Sequence, residues 1–528
     1  MKVFNWLTAG VIAATFDHVQ AMPQSREIPR SQIVYPPNYF QQKINHFPEN
    51  KLPYAHDTFT QRYYFDDSYY KPGGPVYLYI GGETDGPSRF SNLQTGIIQI
   101  LMQATNGLGV ILENRFYGES YPFNTSTTDQ LAFLTTAQTI ADNQYFAENV
   151  KFGGIKADLT APKTPWIVYG GSLAGAQTAF TLKTYGNTTF YGGIAASGVI
   201  HVSVGYPEWY LPIMRFAPQD CVGRIYNIID KFDDLVAKKN TAAINEFKQI
   251  FGLESLTDNR DFATAINNPI GNPGEYLANT WQELNWNSTF GSRDFFYFCD
   301  NVTNIDAPKE ITEVDYALSK YTDGEPWFGL GNYANYVKKY ILPLCPGGDY
   351  NSFDCWGTQN PEAWANVSNS FLRSYTWTSC AEQGLYIDAP KEGPSLLSRV
   401  VDISYEQQWC KWAFPDGEYN KVPASPNLDA YNGYGDFNFT ADRLAFIDGE
   451  QDVWNYACYH SPEAGLRQQT SDLHPEMWIT GSGHHWDSYG ILDVEAEPQF
   501  IREAHLWEIR TVKRWLKDFS SWKPAKYA

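Results

Sequence analysis

Trp166-Ile167-Val168-Tyr169-Gly170-Gly171-Ser172-Leu173-Ala174-Gly175 is the stretch on which the fold turns. Four apolar residues read as a buried strand and two glycines as a sharp turn. Ala176-Gln177-Thr178-Ala179-Phe180 continues in a pattern compatible with a helix. A serine at such a strand-to-helix turn is the setting of a nucleophile elbow. Small neighbours prevent clashes there, and the helix N-terminus favours developing negative charge. The stretch departs from G-x-S-x-G, because Ala174 stands at the second small position and glycine follows at Gly175. The plainer reading is an ordinary glycine-rich turn, so the rest of the chain must decide.

Working outward, Val76-Tyr77-Leu78-Tyr79-Ile80 is a continuous apolar strand ending at Gly81-Gly82. Leu108 to Leu112 and Gly192 to Ala196 read the same way, and Thr58 to Phe65 is a further strand. Thr135 to Val150 has helical spacing through Ile140, Ala141 and Phe146. Buried strands alternating with helices predict a mostly parallel sheet covered on both faces. The pattern breaks after about residue 210. Cys221 to Leu253 is helical, and the chain to about 435 is aromatic-rich, punctuated by Pro and Gly and without strand–helix alternation. It then resumes with strands at Leu444 to Ile447 and Met477 to Ile479. A final amphipathic helix spans about Pro498 to Phe519, its expected buried stripe being Ile501, Leu506, Ile509, Val512, Leu516 and Phe519.

The two late strands supply partners for Ser172. Asp448-Gly449-Glu450-Gln451-Asp452 follows the first, and Gly481-Ser482-Gly483-His484-His485 follows the second. The chain order Ser…Asp…His is that of α/β-hydrolases. The expected fold is therefore an α/β-hydrolase with a large, mainly helical, disulfide-stapled insertion. Spacing alone leaves Asp448 beside Asp452, and His485 beside His484, as candidates; His460 and His474 follow no strand-end glycine turn. The oxyanion donors are expected to be the N–H of Leu173 and one from Gly81-Gly82-Glu83, with Gly82 foremost. Arg115 and Glu119 are expected to pair with each other inside the protein.

Compartment and partners are read from composition. Lys2 followed by a mainly apolar stretch to Phe16, then Val19-Gln20-Ala21, is a secretory signal pattern too short to span a membrane. Sequons at Asn124, Asn187, Asn287, Asn301, Asn366 and Asn438 agree with secretion, the lumen of a vacuole or lysosome being the alternative. Of the seven cysteines, Cys221, Cys299, Cys345, Cys355, Cys380 and Cys410 form a disulfide framework for the insertion, and Cys458 is left as a buried thiol. Closeness in sequence favours Cys380–Cys410 and Cys345–Cys355, leaving Cys221–Cys299, among the connectivities open to six cysteines. The formal charge of −20 repels nucleic acid and suggests work below neutral pH. No H-e-x-x-H, Cys-x-x-Cys or phosphate-loop motif occurs, so no metal or cofactor is expected. The expected layout is a signal peptide at 1–21 and an N-terminal extension at 22–57. Hydrolase parts at 58–210 and 436–528 follow, with a helical cap at 211–435 between them.

Several segments make a more specific match. Glu113-Asn114-Arg115-Phe116-Tyr117-Gly118-Glu119-Ser120, Leu131 to Gln138, Gly170-Gly171-Ser172, Gly449 to Trp454 and Gly483 to Asp487 occur in order. Together they resemble the serine peptidase family of lysosomal prolyl carboxypeptidase, dipeptidyl peptidase II and fungal acid prolyl endopeptidases. The resemblance implies Ser172 as nucleophile, Asp452 as the acid two residues before Trp454, and His484 as the base after the glycine turn. It implies peptide substrates cut next to proline, with carboxypeptidase action ahead of dipeptidyl release and endopeptidase action. Glu83 is then the candidate for holding a substrate terminus, as an acid for the amine or a protonated donor for the carboxylate. Three departures bear on substrate preference. Leu173 replaces the family's Tyr, Val453 replaces its Pro, and Ala195-Ala196-Ser197-Gly198-Val199 lacks its proline. A lipase or esterase, or an inactive binding protein on the same scaffold, are the alternatives of another class.

Overall fold

The computed structural model describes residues 29–271, 280–345, 353–465 and 470–525; the expected signal peptide at 1–21 lies outside them. Eight strands form one sheet: β1 Asn38–Lys43, β2 Thr58–Asp66, β3 Val76–Ile80, β4 Leu108–Leu112, β5 Trp166–Gly171, β6 Gly192–Ala196, β7 Leu444–Gly449 and β8 Glu476–Ile479. Their spatial order is β1-β2-β4-β3-β5-β6-β7-β8. β1 runs antiparallel to β2, and β2 antiparallel to β4. The pairs from β4 through β3, β5, β6 and β7 to β8 are all parallel. This is the α/β-hydrolase fold.

The parallel strands β3 to β7 are buried along their whole length, which explains their unbroken apolar runs. Helices α1 Ile97–Thr105, α2 Thr136–Asn149 and α3 Leu173–Tyr185 follow β3, β4 and β5. Alternation along the strands sends Leu78 and Val168 to the face covered by α2 and α3. Tyr77, Tyr79, Ile167 and Tyr169 point to the other face, against α1 and the C-terminal helix. Thr135 caps α2 by accepting a hydrogen bond from Gln138 N at 3.2 Å.

Strand β1 falls where the sequence shows only a polar extension. Its period-two pattern exists, but the fully buried inward residue is Gln42, which donates to Gln61 Oε1 at 3.0 Å and to Asp142 O at 3.1 Å. A hydrophobic alternation with a glutamine at its buried position does not read as a strand.

Between β6 and β7 the chain builds a helical layer, whose core also takes in Val453, Trp454, Ala457 and Cys458 from the segment after β7. It includes α4 Gln219–Ala237, α5 Thr241–Phe251 and α6 Ile403–Ala413. Ile225, Ile228, Ile229, Phe232 and Leu235 of α4 meet Phe247, Phe262, Trp327 and Tyr333 in that core. Disulfides join Cys221–Cys299, Cys345–Cys355 and Cys380–Cys410, and Cys458 is a buried free thiol.

The last helix, α7 Gln499–Asp518, differs from its expected stripe. The buried line is Ile501, Ala504, His505, Glu508, Thr511, Val512 and Trp515, while Leu506, Ile509, Leu516 and Phe519 are only half-buried. His505 takes the central position because it has partners behind the sheet's C-terminal edge: Nδ1 meets Glu497 Oε2 at 2.7 Å and Nε2 meets Asp487 O at 2.8 Å.

Candidate active site

In a parallel sheet all strand C-termini share one edge, and loops there gather residues distant in sequence. Ser172 follows β5, Asp452 follows β7 and His484 follows β8. Ser172 has φ 60° and ψ −127°, a conformation that a non-glycine residue adopts only under constraint. Its N–H is tied to Ala196 O of β6 at 2.9 Å. A side chain at Gly175 would come within 2.7 Å of that same carbonyl, so the elbow can close on β6 only with glycine there.

Asp452 and His484 are brought together. His484 Nδ1 lies 2.9 and 2.8 Å from the two Asp452 carboxylate oxygens. A carboxylate can only accept, so Nδ1 carries the proton and Nε2 presents its lone pair. Nε2 is buried and has no hydrogen-bond partner, Ser172 Oγ included. Burial disfavours the imidazolium, but Asp452, with Glu83 and Glu283 further off, outweighs it and raises the His484 pKa above the ordinary value. That shift works against the acid optimum suggested by composition, because the base is neutral only above its pKa.

The other candidates are engaged elsewhere. Asp448 Oδ2 accepts from His460 N at 3.0 Å and from His460 Nδ1 at 2.7 Å. The His485 N–H donates to Ser197 Oγ at 2.9 Å, and its ring lies over Tyr489. Burial, then the charges of His484 and Arg89, push the His485 pKa well down. His474 pairs with Asp442 at the surface.

On the opposite flank, Leu173 is the first residue of α3, so its N–H has no acceptor within the helix. Gly81 N is bound to Leu112 O at 2.8 Å. Gly82, at φ 71°, packs beside the elbow: a Cβ added there would lie 3.5 Å from Ala174 Cβ. Glu83 Oε2 is buried without a partner, and Oε1 is 3.9 Å from Arg89 Nη2.

Glu113 was not singled out from the sequence, yet it fastens this flank. It is fully buried and accepts from Arg62 Nη2 at 2.6 Å, Gly86 N at 2.8 Å, Ser120 Oγ at 2.8 Å and Glu119 N at 3.0 Å. The β3 loop and the turn after β4 are thereby joined. Arg115 and Glu119 do not pair with each other, contrary to expectation. Arg115 forms a two-pronged ion pair with Asp142 at 2.7 and 2.6 Å, and Glu119 meets Arg62 Nη1 at 2.6 Å. Neighbours in sequence around a turn point apart, and each finds the charge opposite it.

The insertion reaches down onto the Asp452 and His484 loops through indole N–H groups. Trp281 donates to Gln451 O at 2.9 Å, Trp286 to Trp486 O at 3.0 Å, and Trp486 to Leu284 O at 2.7 Å. Tryptophan content hinted at this contact, but no spacing rule located it. Behind the His484 loop, Tyr169 OH donates to Asp487 Oδ2 at 2.5 Å. Burial pushes Asp487 up to about 6 and Glu508 well above its ordinary value; both Glu508 oxygens are buried and unpartnered.

Among the sequons, Asn124, Asn187, Asn366 and Asn438 are exposed and Asn301 is half-buried, whereas Asn287 is 9% exposed. Among the described residues no group of His, Cys, Asp and Glu is arranged to hold a metal, and no helix is long and apolar enough to cross a membrane.

Known proteins resemble this chain along most of its length. Residues 42–500 match the family model described as serine carboxypeptidase S28. A probable extracellular serine carboxypeptidase of Arthroderma benhamiae is 36% identical, covering 93% of this chain and 69% of its own. The human lysosomal Pro-X carboxypeptidase is 35% identical, covering 95% and 92%. Serine protease vicPa of Bipolaris victoriae is 29% identical, covering 91% and 88%. The chain belongs to the serine carboxypeptidase S28 family and is a serine-type peptidase.

Proposed function

We propose that this enzyme is a secreted carboxypeptidase that removes a residue following proline, using Ser172, His484 and Asp452 as its triad. The observation that carries the reading is the Asp452–His484 pair, with Nε2 of His484 buried and unpartnered at the edge that also bears the strained Ser172. Ser172 Oγ attacks the scissile carbonyl carbon while Nε2 takes its proton. The oxyanion is met by the N–H groups of Leu173 and Gly82. The C–N bond then breaks, and the imidazolium gives its proton to the leaving amino acid. Water repeats the sequence on the acyl-enzyme and releases the shortened peptide. Asp452 fixes the tautomer and stabilises the imidazolium throughout.

Proline preference and exopeptidase action are supported by the similarity to proteins named Pro-X carboxypeptidase, in human and Pongo abelii. Secretion is supported by the relative named extracellular and by the disulfides. Ser172→Ala should lose on the order of 10⁶ in kcat, and a phosphonofluoridate should label Ser172 alone. Peptides with proline next to last should be cleaved whether or not the N-terminus is acetylated. Cleavage that persists on C-terminal amides but disappears on N-acetylation would show a dipeptidyl peptidase instead.

A further inference from the structure

An enzyme that removes single C-terminal residues must receive a free carboxylate close to the bond it cuts, because that carboxylate sits on the carbon next to the leaving nitrogen. The site described above is hostile to such a group. Asp452, Glu83 and Glu283 all lie close enough to His484 to raise its pKa. A second anion entering this field is repelled unless a cation meets it.

Arg89 is placed for that task. It lies at the end of the β3 loop, and its Nε donates to Gly81 O at 3.1 Å, which fixes the guanidinium plane. Its Nη2 would be 3.5 Å from a Cβ on Gly82, so the head group stands against the oxyanion loop. The side chain is 21% exposed, sheltered but reachable. Its contact with Glu83 is 3.9 Å, too long for a hydrogen bond, so the two Nη groups keep their donors for another acceptor. Its charge is felt by His485 and Tyr489, both on the loop that carries His484. His484, on that loop, is the group that hands its proton to the departing amine. A planar fork with free N–H groups suits a carboxylate.

Resting on the carboxypeptidase reading, we propose that Arg89 binds the terminal carboxylate of the departing residue and so sets the preference for chain ends. It takes the role for which the sequence offered Glu83. Glu83 instead steadies the fork from one side and leaves the face toward the oxyanion loop open.

The test compares kcat/KM on two N-acetylated peptides with proline next to last, one a free acid and the other its C-terminal amide. The wild type should favour the acid. Arg89→Gln should lower the acid-to-amide ratio on the order of 100-fold, and Arg89→Lys, which keeps charge but not the fork, about 10-fold. Labelling of Ser172 by a phosphonofluoridate reports whether each variant is folded, and the ratio is judged on every variant that labels. A wild-type ratio retained by a labelled variant overturns the role of Arg89 alone. A wild type indifferent to amidation overturns the carboxypeptidase reading and this inference with it. Hydrolysis surviving in Ser172→Ala overturns only the nucleophile.

Discussion

The two flanks of Ser172 are built to the same purpose and fastened by opposite means. The oxyanion flank is tied from within the sheet domain. Glu113 accepts four donors, one of them the Arg62 guanidinium, and locks the β3 loop to the turn after β4. The base flank hangs on neutral indole donors from the insertion, Trp281 and Trp286. Behind it lie two buried acids, Asp487, which accepts from Tyr169 OH, and Glu508, whose oxygens have no donor. A flank held by neutral bonds over a buried acid without donors is where pH and the state of the insertion act.

Breaking the base itself should have the largest effect. His484→Ala or Asp452→Asn should cost about 10⁴ or more in kcat, while Asp448→Asn and His485→Ala should be far milder. An inactive Asp448→Asn that still folds would mean the acid has been misassigned. In the wild type, kcat/KM should fall with decreasing pH through a value above the ordinary histidine pKa, since the raised group must be neutral to act. Asp452→Asn removes the main cause of the raised pKa, so its residual activity should show that limb displaced downward. Next comes the oxyanion flank. Glu113→Ala leaves Arg62 with only the exposed Glu119, strands three other donors, and should lower stability by about 3–5 kcal/mol in denaturant titration. A loss under 1 kcal/mol would show that the flank does not depend on this carboxylate.

Smaller effects should separate the flanks by pH. Glu508 has a folded pKa above its unfolded value, so the folded state binds the extra proton. Stability is then complete below the unfolded pKa and declines as pH rises toward the folded one. Glu508→Gln should therefore raise Tm by a few degrees at pH 7.5 and change it little at pH 4. Equal shifts at both would remove the pH sensitivity assigned to this flank. The smallest effect belongs to Trp286→Phe, which leaves Trp486 O without its donor. A loss of about 1 kcal/mol, with kcat reduced a few-fold and the phosphonofluoridate rate reduced alongside, is expected. No change in either rate would mean that the insertion only rests on the base loop.

The sheet was legible because its central strands are buried on both faces, and Val76–Ile80 or Trp166–Tyr169 leave no other reading. Ser172 was legible because a strained serine needs small residues on either side of it. Preference for Asp452 needed the family resemblance, since Asp448 lies four residues away with equal chemistry; their partners set them apart, His484 for Asp452 and His460 for Asp448. Glu113 and Arg89 were silent for another reason. Their roles depend on partners brought from other segments, Arg62 and Gly86 for one and Gly81 for the other, and periodicity does not report such meetings. The stripe of α7 was misplaced because sequence scores His505 and Glu508 as surface residues, while the fold gives His505 two buried acceptors.

The pairing of β6 with β7 joins Ala196 to Ile447 across the whole insertion. A ribosome adding about 5–20 residues per second therefore completes the serine-bearing half tens of seconds before the histidine emerges. Until then the nascent chain has Ser172 but neither Asp452 nor His484, and an open sheet edge at β6. Closure across so long a loop is intrinsically slow. With the proposed triad, activity is the final event of folding, and a truncated or stalled chain has no means of cutting its neighbours.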